Sequence, residues 1–176
     1  MSFALLQDSI PEEVTGWLAS EKLDGIRAIW TGRKLLTRNG HTLKAPAWFT
    51  AGLPDMRLDG ELYMGRGTFD KLQSVIQKKD SNWEGVQFHV FDLADVGTVE
   101  ERIDTLEKSK LPNHVVRVLH FPLSSHDELD RMEKAVVSAG GEGMVIRRPG
   151  SAYRPGRIGD VVKVKRLVAD DDRWQG

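Results

Sequence analysis

The sequence predicts an α+β domain in which antiparallel sheets are flanked by helices. Short alternating and apolar runs typical of strands are mixed with helical repeats, without a regular strand–helix–strand series. The chain has 176 residues, of which 40% are hydrophobic, and this is enough for one domain with a sizeable core. No internal repeat or long linker divides the sequence, so we expect a single domain over residues 1–176.

The first third of the chain is predicted to be rich in strands. An apolar run over residues 17–20 ends at a turn that carries Lys22, and an extended apolar pattern resumes over residues 26–30. Gly-Arg at residues 32–33 indicates a hairpin, and Asn-Gly at residues 39–40 is a candidate type I′ turn. These elements place Lys22 close to the end of a strand.

Strand and helix patterns then follow in irregular order. Strand patterns cover residues 56–62, 86–93, 144–146 and 161–164. Helical patterns cover residues 68–78, 99–106 and 127–139. Thr68 is the expected N-terminal cap of the first helix, and Gly140-Gly141 is expected to end the third.

Composition excludes several classes of protein. Lys and Arg number 25 against 26 Asp and Glu, so a formal charge of -1 predicts no global attraction to nucleic acid, and such contact needs a local patch. The absence of cysteine excludes disulfides and thiolate metal sites. The sequence contains neither a signal-peptide pattern nor an apolar run long enough to span a bilayer. We expect a soluble, cytoplasmic monomer without a membrane partner.

The segment EKLDGIR, residues 21–27, is the first candidate for chemistry. Lys22 and Arg27 flank an acid and a flexible glycine, a spacing that suits phosphate chemistry. A lysine attacks a phosphate only as a neutral amine, so a neighbouring cation such as Arg27 would help by lowering the lysine pKa. Taken alone, the segment is more typical of a solvated charged turn.

Two carboxylates beside glycines are further candidates. Glu61 follows Asp-Gly at residues 59–60 on a predicted strand, where alternation puts the two acids opposite the leucines, and it could accept a ribose hydroxyl. Glu142 lies between two glycines before an apolar strand, where it could bind Mg²⁺ beside a phosphate. The alternatives are a solvated strand face for Glu61 and an ordinary helix-to-strand turn for Glu142.

Two lysines and one aromatic residue lie on other predicted strands. Lys163 and Lys165 alternate along the chain, so both ammonium groups project from one face, either as a phosphate clamp or as a solvated surface. Phe91 lies mid-strand, where it would be a core residue or a surface for stacking on a base.

A local basic stretch begins after Glu142. Seven cations, with Tyr153 among them, are opposed by Glu142 and Asp160 alone, and they could meet a nucleic-acid backbone, although charge runs are more often solvated surface. The cations are Arg147, Arg148, Arg154, Arg157, Lys163, Lys165 and Arg166.

Taken in order, five segments resemble the motifs of the covalent nucleotidyltransferase superfamily, which comprises DNA ligases, RNA ligases and mRNA capping enzymes. EKLDGIR (21–27) resembles the nucleophile motif, DGELY (59–63) the third motif and HVFDL (89–93) the aromatic motif. EGMVIR (142–147) resembles the fourth motif and VVKVKR (161–166) the fifth. Small ATP-dependent DNA ligases of bacteria and viruses are the subfamily most similar in two further segments, RNGHTLKAPAWF (38–49) and GRGTF (65–69).

The resemblance implies a nucleotidyltransferase fold, similar to ATP-grasp, and a role for each residue around a bound nucleotide. Lys22 would take AMP from ATP as a phosphoramidate. Arg27 and Glu61 would hold the ribose. Phe91 would stack on the adenine, and Glu21 would help to frame the adenine pocket.

The resemblance also implies how phosphates are handled. Glu142 would support a catalytic Mg²⁺, while Lys163 and Lys165 would neutralise charge on the α-phosphate. Arg38 matches an arginine that contacts the 5′-phosphate at a nick. The implied substrate is nicked double-stranded DNA, in repair or replication, whose 5′-phosphate receives AMP before the 3′-hydroxyl attacks.

The resemblance departs from the family pattern after the fifth motif. Family ligases continue into an OB-fold domain, whereas eleven residues follow Lys165. We therefore expect an adenylation domain alone, whose complete reaction could depend on a separate OB-fold or DNA-binding partner. The alternatives are an RNA ligase or capping-type nucleotidyltransferase, which shares the core motifs, and a non-catalytic module that binds nicks or nucleotides.

Overall fold

The structure, a computed structural model, describes residues 10–79, 81–154 and 159–165. These residues contain nine strands, numbered in chain order. The strands are β1 (Leu18–Glu21), β2 (Ile26–Trp30), β3 (Leu35–Thr37), β4 (Leu58–Tyr63), β5 (Gln87–Leu93), β6 (Val115–Arg117), β7 (Phe121–Pro122), β8 (Met144–Arg147) and β9 (Val161–Val164).

The strands form two sheets. The first sheet has the order β7-β1-β8-β9, and all of its strand pairs are antiparallel. The second sheet has the order β3-β2-β4-β5-β6, and β5 and β6 run parallel. The prediction of an α+β fold is confirmed, but the prediction of purely antiparallel sheets is wrong for the second sheet, which is mixed. The reason is that a helix connects β5 to β6, and such a crossover brings the next strand back in the same direction.

Four helices flank the sheets within the described residues. They are α1 (Ala47–Thr50), α2 (Phe69–Gln77), α3 (Val99–Lys108) and α4 (His126–Ser138). The hydroxyls of Thr98 and Ser125 cap α3 and α4, each accepting a 3.2 Å hydrogen bond from the backbone N–H three residues later. Thr68 is the N-cap residue of α2, as predicted, but its hydroxyl makes no capping hydrogen bond and instead donates to the carbonyl of Gly65 at 2.6 Å. None of the helices in the described part of the chain is long and apolar enough to cross a membrane.

The turn after β3 differs from its prediction. The Gly40 N–H donates to the carbonyl of Thr37 at 2.9 Å, and the Thr37 N–H donates to the carbonyl of His41 at 2.7 Å. Residues 38–40 therefore form a three-residue loop rather than a two-residue type I′ turn, and Gly40, with φ of 86°, supplies its left-handed position. The hairpin predicted at residues 32–33 is confirmed.

The first sheet packs one face against α4. Ala19, Ile146 and Val164 are fully buried there, in one cluster with Leu129 of α4. Because side chains alternate along a strand, the residues between them project from the opposite face. That opposite face carries Ser20, Val145, Arg147 and Lys163.

The second sheet has the same division into an apolar and a polar face. Leu62, Phe88 and Val90 are fully buried, in a cluster with Leu72 of α2 and Leu106 of α3. The neighbouring positions in the strand register carry Arg27, Glu61 and His89. The two polar faces are turned toward each other, since Arg147 of the first sheet lies against Phe91 of the second.

The chain crosses between the sheets at residues 22–25, from β1 to β2, and at residues 118–120, from β6 to β7. The first crossing requires a glycine at residue 25, because a Cβ there would collide with the backbone carbonyl of Leu62. This crossing places Lys22 at the boundary between the two polar faces.

A buried ion pair ties α3 to the second sheet. Arg102 donates to both carboxylate oxygens of Asp92, at 2.8 and 3.3 Å, and to the carbonyls of Gly97 and Ser151, at 2.7 and 2.9 Å. Arg102→Ala leaves the buried Asp92 carboxylate without these donors, so we expect the free energy of unfolding to fall by about 3–5 kcal/mol in urea denaturation.

Lys108→Ala on the same helix is the matched control. Its ion pair with Asp104 is exposed, so the free energy of unfolding should stay close to that of the wild type. Equal losses in the two variants would contradict the importance of the buried pair.

Candidate active site

Lys22 lies where the chain leaves the first sheet for the second. Its backbone N–H donates a 2.9 Å hydrogen bond to the carbonyl of Gly143, which extends the pairing of β1 with β8 by one step. Residue 143 must be a glycine, because a Cβ there would collide with the carbonyl of Val164 on β9. This packing holds Lys22 beside the residue before Gly143, which is Glu142.

The ammonium group of Lys22 forms an ion pair with Glu142. Its Nζ donates to Oε2 of Glu142, and the Nζ of Lys165 lies 3.6 Å from Oε1 of the same carboxylate. Burial raises the pKa of Glu142, but the hydrogen bond from Lys22 and the charges of both lysines outweigh burial, so this pKa lies below its usual range. Glu142 is therefore a carboxylate at neutral pH.

Arg27, Glu61 and His89 form a row across the polar face of the second sheet. Strand register aligns Arg27 with Glu61 and Glu61 with His89. Burial raises the pKa of Glu61 to about 7, although the charges of Arg27 and Lys22 oppose this rise. The Glu61 carboxyl group is thus partly protonated near neutral pH, and it can donate or accept a hydrogen bond.

Three cations surround Lys163, so that four positive charges lie close together. Burial lowers the pKa of Lys163, and the charges of Lys22, Arg38 and Arg27 lower it further, while Glu61 acts in the opposite direction. The cations come from both sheets and from the loop after β3. Because like charges repel, such a cluster is stabilised by a bound anion, and a phosphate group matches it.

Asp59 holds Arg27 in the second sheet. Arg27 donates from Nε to Oδ1 and from Nη2 to Oδ2 of Asp59, both at 2.6 Å. Asp59 is fully buried, and a register shift between Asp59 and Gly60 interrupts the regular alternation of β4. Alternation along the strand predicts Asp59 on the polar side, but it predicts no partner for this carboxylate.

Phe91 joins the two sheets at the inner end of the site. Its ring centroid lies 5.0 Å from the guanidinium carbon of Arg27 and 4.9 Å from that of Arg147. Arg147 is 5% exposed and also donates to the hydroxyl of Ser20 at 3.1 Å. Phe91 is therefore a half-buried aromatic residue in contact with two cations.

A cleft of about 570 Å³ opens beside Lys22. Glu21 and Arg66 line it as a two-contact ion pair, with Nε to Oε1 at 3.0 Å and Nη2 to Oε2 at 3.1 Å. Arg66 also donates to the carbonyl of Ala139 at 3.2 Å. The wall includes Leu23, Tyr63, His89, Val118, Phe121 and Met144. Its size and apolar wall suit a purine base, and Phe91 lies outside its lining.

The structure brings most of the predicted site residues together. The residues that share the site between the sheets are Lys22, Arg27, Glu61, Glu142, Lys163 and Lys165. Arg38 is exposed and acts on Lys163 through its charge. Glu21 faces the adjoining cleft, and Phe91 lies at the inner end of the site. The roles of these residues toward a nucleotide stay predictions.

The prediction of a basic surface after Glu142 is wrong for Arg147, which is buried between the sheets rather than free to meet a nucleic acid. Arg148 is exposed but forms an ion pair with Asp160 at 3.1 Å. Arg157 and Arg166 lie outside the described residues. No local pattern distinguishes Arg147 from Arg148, because Arg147 is buried by the second sheet, which packs against it through Phe91.

Comparison with known proteins places the chain among ligase domains. A family model described as the ATP dependent DNA ligase domain matches residues 6–165. A DNA ligase of Haemophilus influenzae is 33% identical over 165 residues, which are 91% of this chain and 62% of that protein. The multifunctional non-homologous end joining protein LigD of Pseudomonas aeruginosa is 33% identical over 171 residues, with 85% of this chain and 20% of that protein covered. The chain thus spans less than two thirds of either relative.

Solved structures show the same fold. A Lig E DNA ligase, described as binding DNA with a minimal scaffold, has a TM-score of 0.81 and 35% identity, covering 87% of this chain and 63% of that chain. The Chlorella virus DNA ligase-adenylate has a TM-score of 0.75 and 21% identity, covering 90% of this chain and 64% of that chain. At 21% identity, the second likeness concerns the fold alone.

The raised pKa of Glu61 predicts a pH-dependent effect of Glu61→Gln. A carboxyl with a pKa of about 7 in the folded chain and 4.5 in the unfolded chain stabilises the fold fully below pH 4.5, and this contribution is lost as the pH rises through 7. Glutamine stays neutral, so the stability of the variant relative to wild type should rise between pH 4.5 and pH 8, by on the order of 2 kcal/mol.

Urea denaturation of both proteins at the two pH values measures this difference. The exposed Glu84→Gln serves as the control and should follow the wild type at both pH values. A difference between Glu61→Gln and wild type that is the same at both pH values would refute the raised pKa.

Proposed function

The chain belongs to the family of ATP-dependent DNA ligase domains, and on this premise we propose that it takes AMP from ATP onto Lys22 and passes it to the 5′-phosphate of nicked DNA. One observation carries the proposal. The Lys22 amine is paired with Glu142, among the cations Arg27, Lys163 and Lys165, beside a cleft large enough to admit a purine.

The first step would join Lys22 to AMP. The lone pair of Nζ attacks the α-phosphorus, the N–P bond forms, and the bond from that phosphorus to the bridging oxygen breaks, releasing pyrophosphate. Attack requires the neutral amine, so one proton must leave the ammonium group. Glu142 accepts a hydrogen bond from Nζ and is placed to receive this proton.

Lys163 and Lys165 would neutralise charge on the α-phosphate. Lys163 lies on the polar side of β9, whose alternate residues Val162 and Val164 are buried, and Lys165 directly follows the strand. Transfer of a phosphoryl group depends mainly on positioning and on neutralisation of charge. These two lysines supply both.

The row on the second sheet would hold the nucleoside. Arg27 and Glu61 would contact the ribose hydroxyls, with Arg27 fixed by its two bonds to Asp59. Adenine would stack on Phe91 and extend along the neighbouring cleft, which Glu21 frames. The raised pKa of Glu61 suits this role, because the group can accept a hydrogen bond from a hydroxyl or donate one.

Glu142 also fits Mg²⁺. It is an ionised carboxylate beside the proposed phosphate site, and Mg²⁺ is commonly held by one or two carboxylates together with substrate phosphates. In the part of the chain that the structure describes, no group of three or more acidic, cysteine or histidine side chains could hold a metal. Bound Mg²⁺ would supply positive charge next to the α-phosphate.

The second and third steps would take place on DNA. AMP passes from Lys22 to the 5′-phosphate at a nick, which makes that phosphate reactive, and the 3′-hydroxyl then displaces AMP. Arg38 is exposed on the loop after β3, and its charge acts on Lys163. It would contact the 5′-phosphate. Complete sealing would also involve an OB-fold or other DNA-binding domain, in the same polypeptide or in a partner.

Covalent labelling tests the first step. After treatment with pyrophosphate to remove any AMP already present, incubation with ATP and Mg²⁺ should add the mass of one AMP to the chain in intact-mass spectrometry. Lys22→Ala should abolish this gain because the attacking amine is lost. Lys34→Ala, which removes an exposed lysine in the hairpin after β2, should be labelled like the wild type.

The same assay separates the alternative functions. Labelling from GTP in preference to ATP would indicate a capping-type enzyme. Wild type that stays unlabelled in repeated preparations would contradict the proposed activity and favour a module that only binds nicks or nucleotides. Nicked substrates with DNA or RNA on either side would then identify the nucleic acid that receives AMP.

The role of Arg38 predicts a separation between the steps. Arg38→Ala should slow transfer of AMP to a nicked duplex by about 10-fold or more, because a charge-assisted contact to the 5′-phosphate is lost. Formation of the lysyl adduct should change by less than about 2-fold. Single-turnover assays on the isolated adduct measure transfer, and the exposed Arg33→Ala is the matched control. Equal slowing of both steps would refute this role.

A further inference from the structure

The carboxylate of Asp59 has a second partner besides Arg27. The hydroxyl of Tyr153 donates to Oδ2 of Asp59 at 2.8 Å, and Oδ2 also accepts from Nη2 of Arg27 at 2.6 Å. Asp59 is fully buried, so these donors replace the water that its charge would otherwise need. Tyr153, Asp59 and Arg27 therefore form a continuous chain of hydrogen bonds that ends at the proposed ribose site.

Tyr153 comes from a distant part of the chain. It lies in the connection from β8 to β9, which belong to the first sheet, whereas Asp59 and Arg27 belong to the second. The same connection leads to β9, which carries Lys163 of the proposed phosphate site. The hydroxyl of Tyr153 thus links the segment before β9, which carries Lys163 of the proposed phosphate site, to Asp59, which holds Arg27 of the proposed ribose site.

The segment before Tyr153 is held in place independently of the Tyr153 hydroxyl. Arg102 donates to the carbonyl of Ser151 at 2.9 Å, and the N–H of Gly150 donates to the carboxylate of Glu100 at 2.9 and 3.1 Å. Ala152 forms an isolated bridge with Thr98. These contacts should keep the segment folded when the hydroxyl alone is removed.

The Tyr153 hydroxyl stays protonated and therefore acts as a hydrogen-bond donor at neutral pH. Burial raises the pKa of Tyr153 to about 12, and the charge of Asp59 raises it as well, so the hydroxyl keeps its proton at neutral pH. A permanent donor on Oδ2 fixes the plane of the Asp59 carboxylate. The two parallel bonds from Arg27 follow that plane, because a guanidinium group matches a carboxylate only in a common orientation.

We propose that Tyr153 is a positioning residue for the nucleotide ribose, and that it acts by fixing Asp59 so that Arg27 is oriented toward a ribose hydroxyl. This inference rests on the proposed function, in which Arg27 binds the ribose. Tyr153 itself does not touch the nucleotide. Tyr153, from the connection between two strands of the first sheet, thereby supports the ribose contact that Arg27 of the second sheet would make.

Tyr153→Phe tests the proposal by removing only the hydroxyl. The ATP concentration for half-maximal formation of the lysyl adduct should rise about 10- to 100-fold, as expected for one hydrogen bond to a charged group. The rate at saturating ATP should change by less than about 2-fold, because the reacting groups are intact. Ser151→Ala is the matched control, since its hydroxyl donates to the carbonyl of Arg148 at 2.7 Å and has no contact with Asp59.

Deoxynucleotides separate positioning from general loosening. Either 2′-deoxy-ATP or 3′-deoxy-ATP lacks the hydroxyl that Arg27 binds. With that nucleotide, wild type and Tyr153→Phe should reach half-maximal adduct formation at nearly the same nucleotide concentration. An unchanged requirement for ATP in Tyr153→Phe would overturn the proposal. An equal increase for ATP and for both deoxynucleotides would overturn it too, because the ribose contact would not be the cause.

Failure of the proposed function gives a different result. If the wild type itself forms no adduct, the adenylation activity is refuted, and ATP binding measured by calorimetry replaces labelling as the readout for the same proteins and nucleotides. Weaker ATP binding by Tyr153→Phe, absent with one deoxynucleotide, then supports the positioning role, and unchanged ATP binding overturns it.

Discussion

Charges between two sheets are stable only when they are paired, and this constraint organises the molecule. Each sheet buries its apolar side against helices and turns its polar side to the other sheet. The pairing therefore has to be made across the gap or within one polar face. Arg27 with Asp59 and Lys22 with Glu142 are such pairs.

Arg147 is a further buried charge between the sheets, with 5% exposure. It contacts the ring of Phe91 and the hydroxyl of Ser20, and it lies 3.3 Å from Nε2 of His120. Burial and the charge of Arg147 lower the pKa of His120 to about 3, so the imidazole is neutral and can accept from the guanidinium group. The contact with Phe91 crosses the gap and joins the two sheets at the inner end of the site.

The outer end of the site is balanced differently. Around Lys163, the cations Lys22, Arg27 and Arg38 outnumber the acids that face them, while Glu61 holds part of its proton near neutral pH. The inner pairs thus stabilise the fold, whereas the outer excess of positive charge favours the binding of a polyanion. The difference between paired charges at the inner end and excess positive charge at the outer end explains how one interface can both hold the sheets together and receive a nucleotide.

Local pattern predicted most of the strands and the three longer helices, but not β6, β7 or the short α1. Motif order named the candidate site residues, whose roles toward a nucleotide stay predictions. Alternation placed Lys163 opposite the buried Val162 and Val164, and the glycines around Glu142 and Glu61 marked turns and close approaches that the structure contains. These features follow from backbone geometry and from residue type, so each is determined within a few residues. Tertiary structure decided what meets across the gap: the parallel β6, the burial of Arg147, and the bonds of Asp59 to Arg27 and Tyr153. Such contacts join residues far apart in the chain, and they depend on the two crossings between the sheets, which no local pattern specifies.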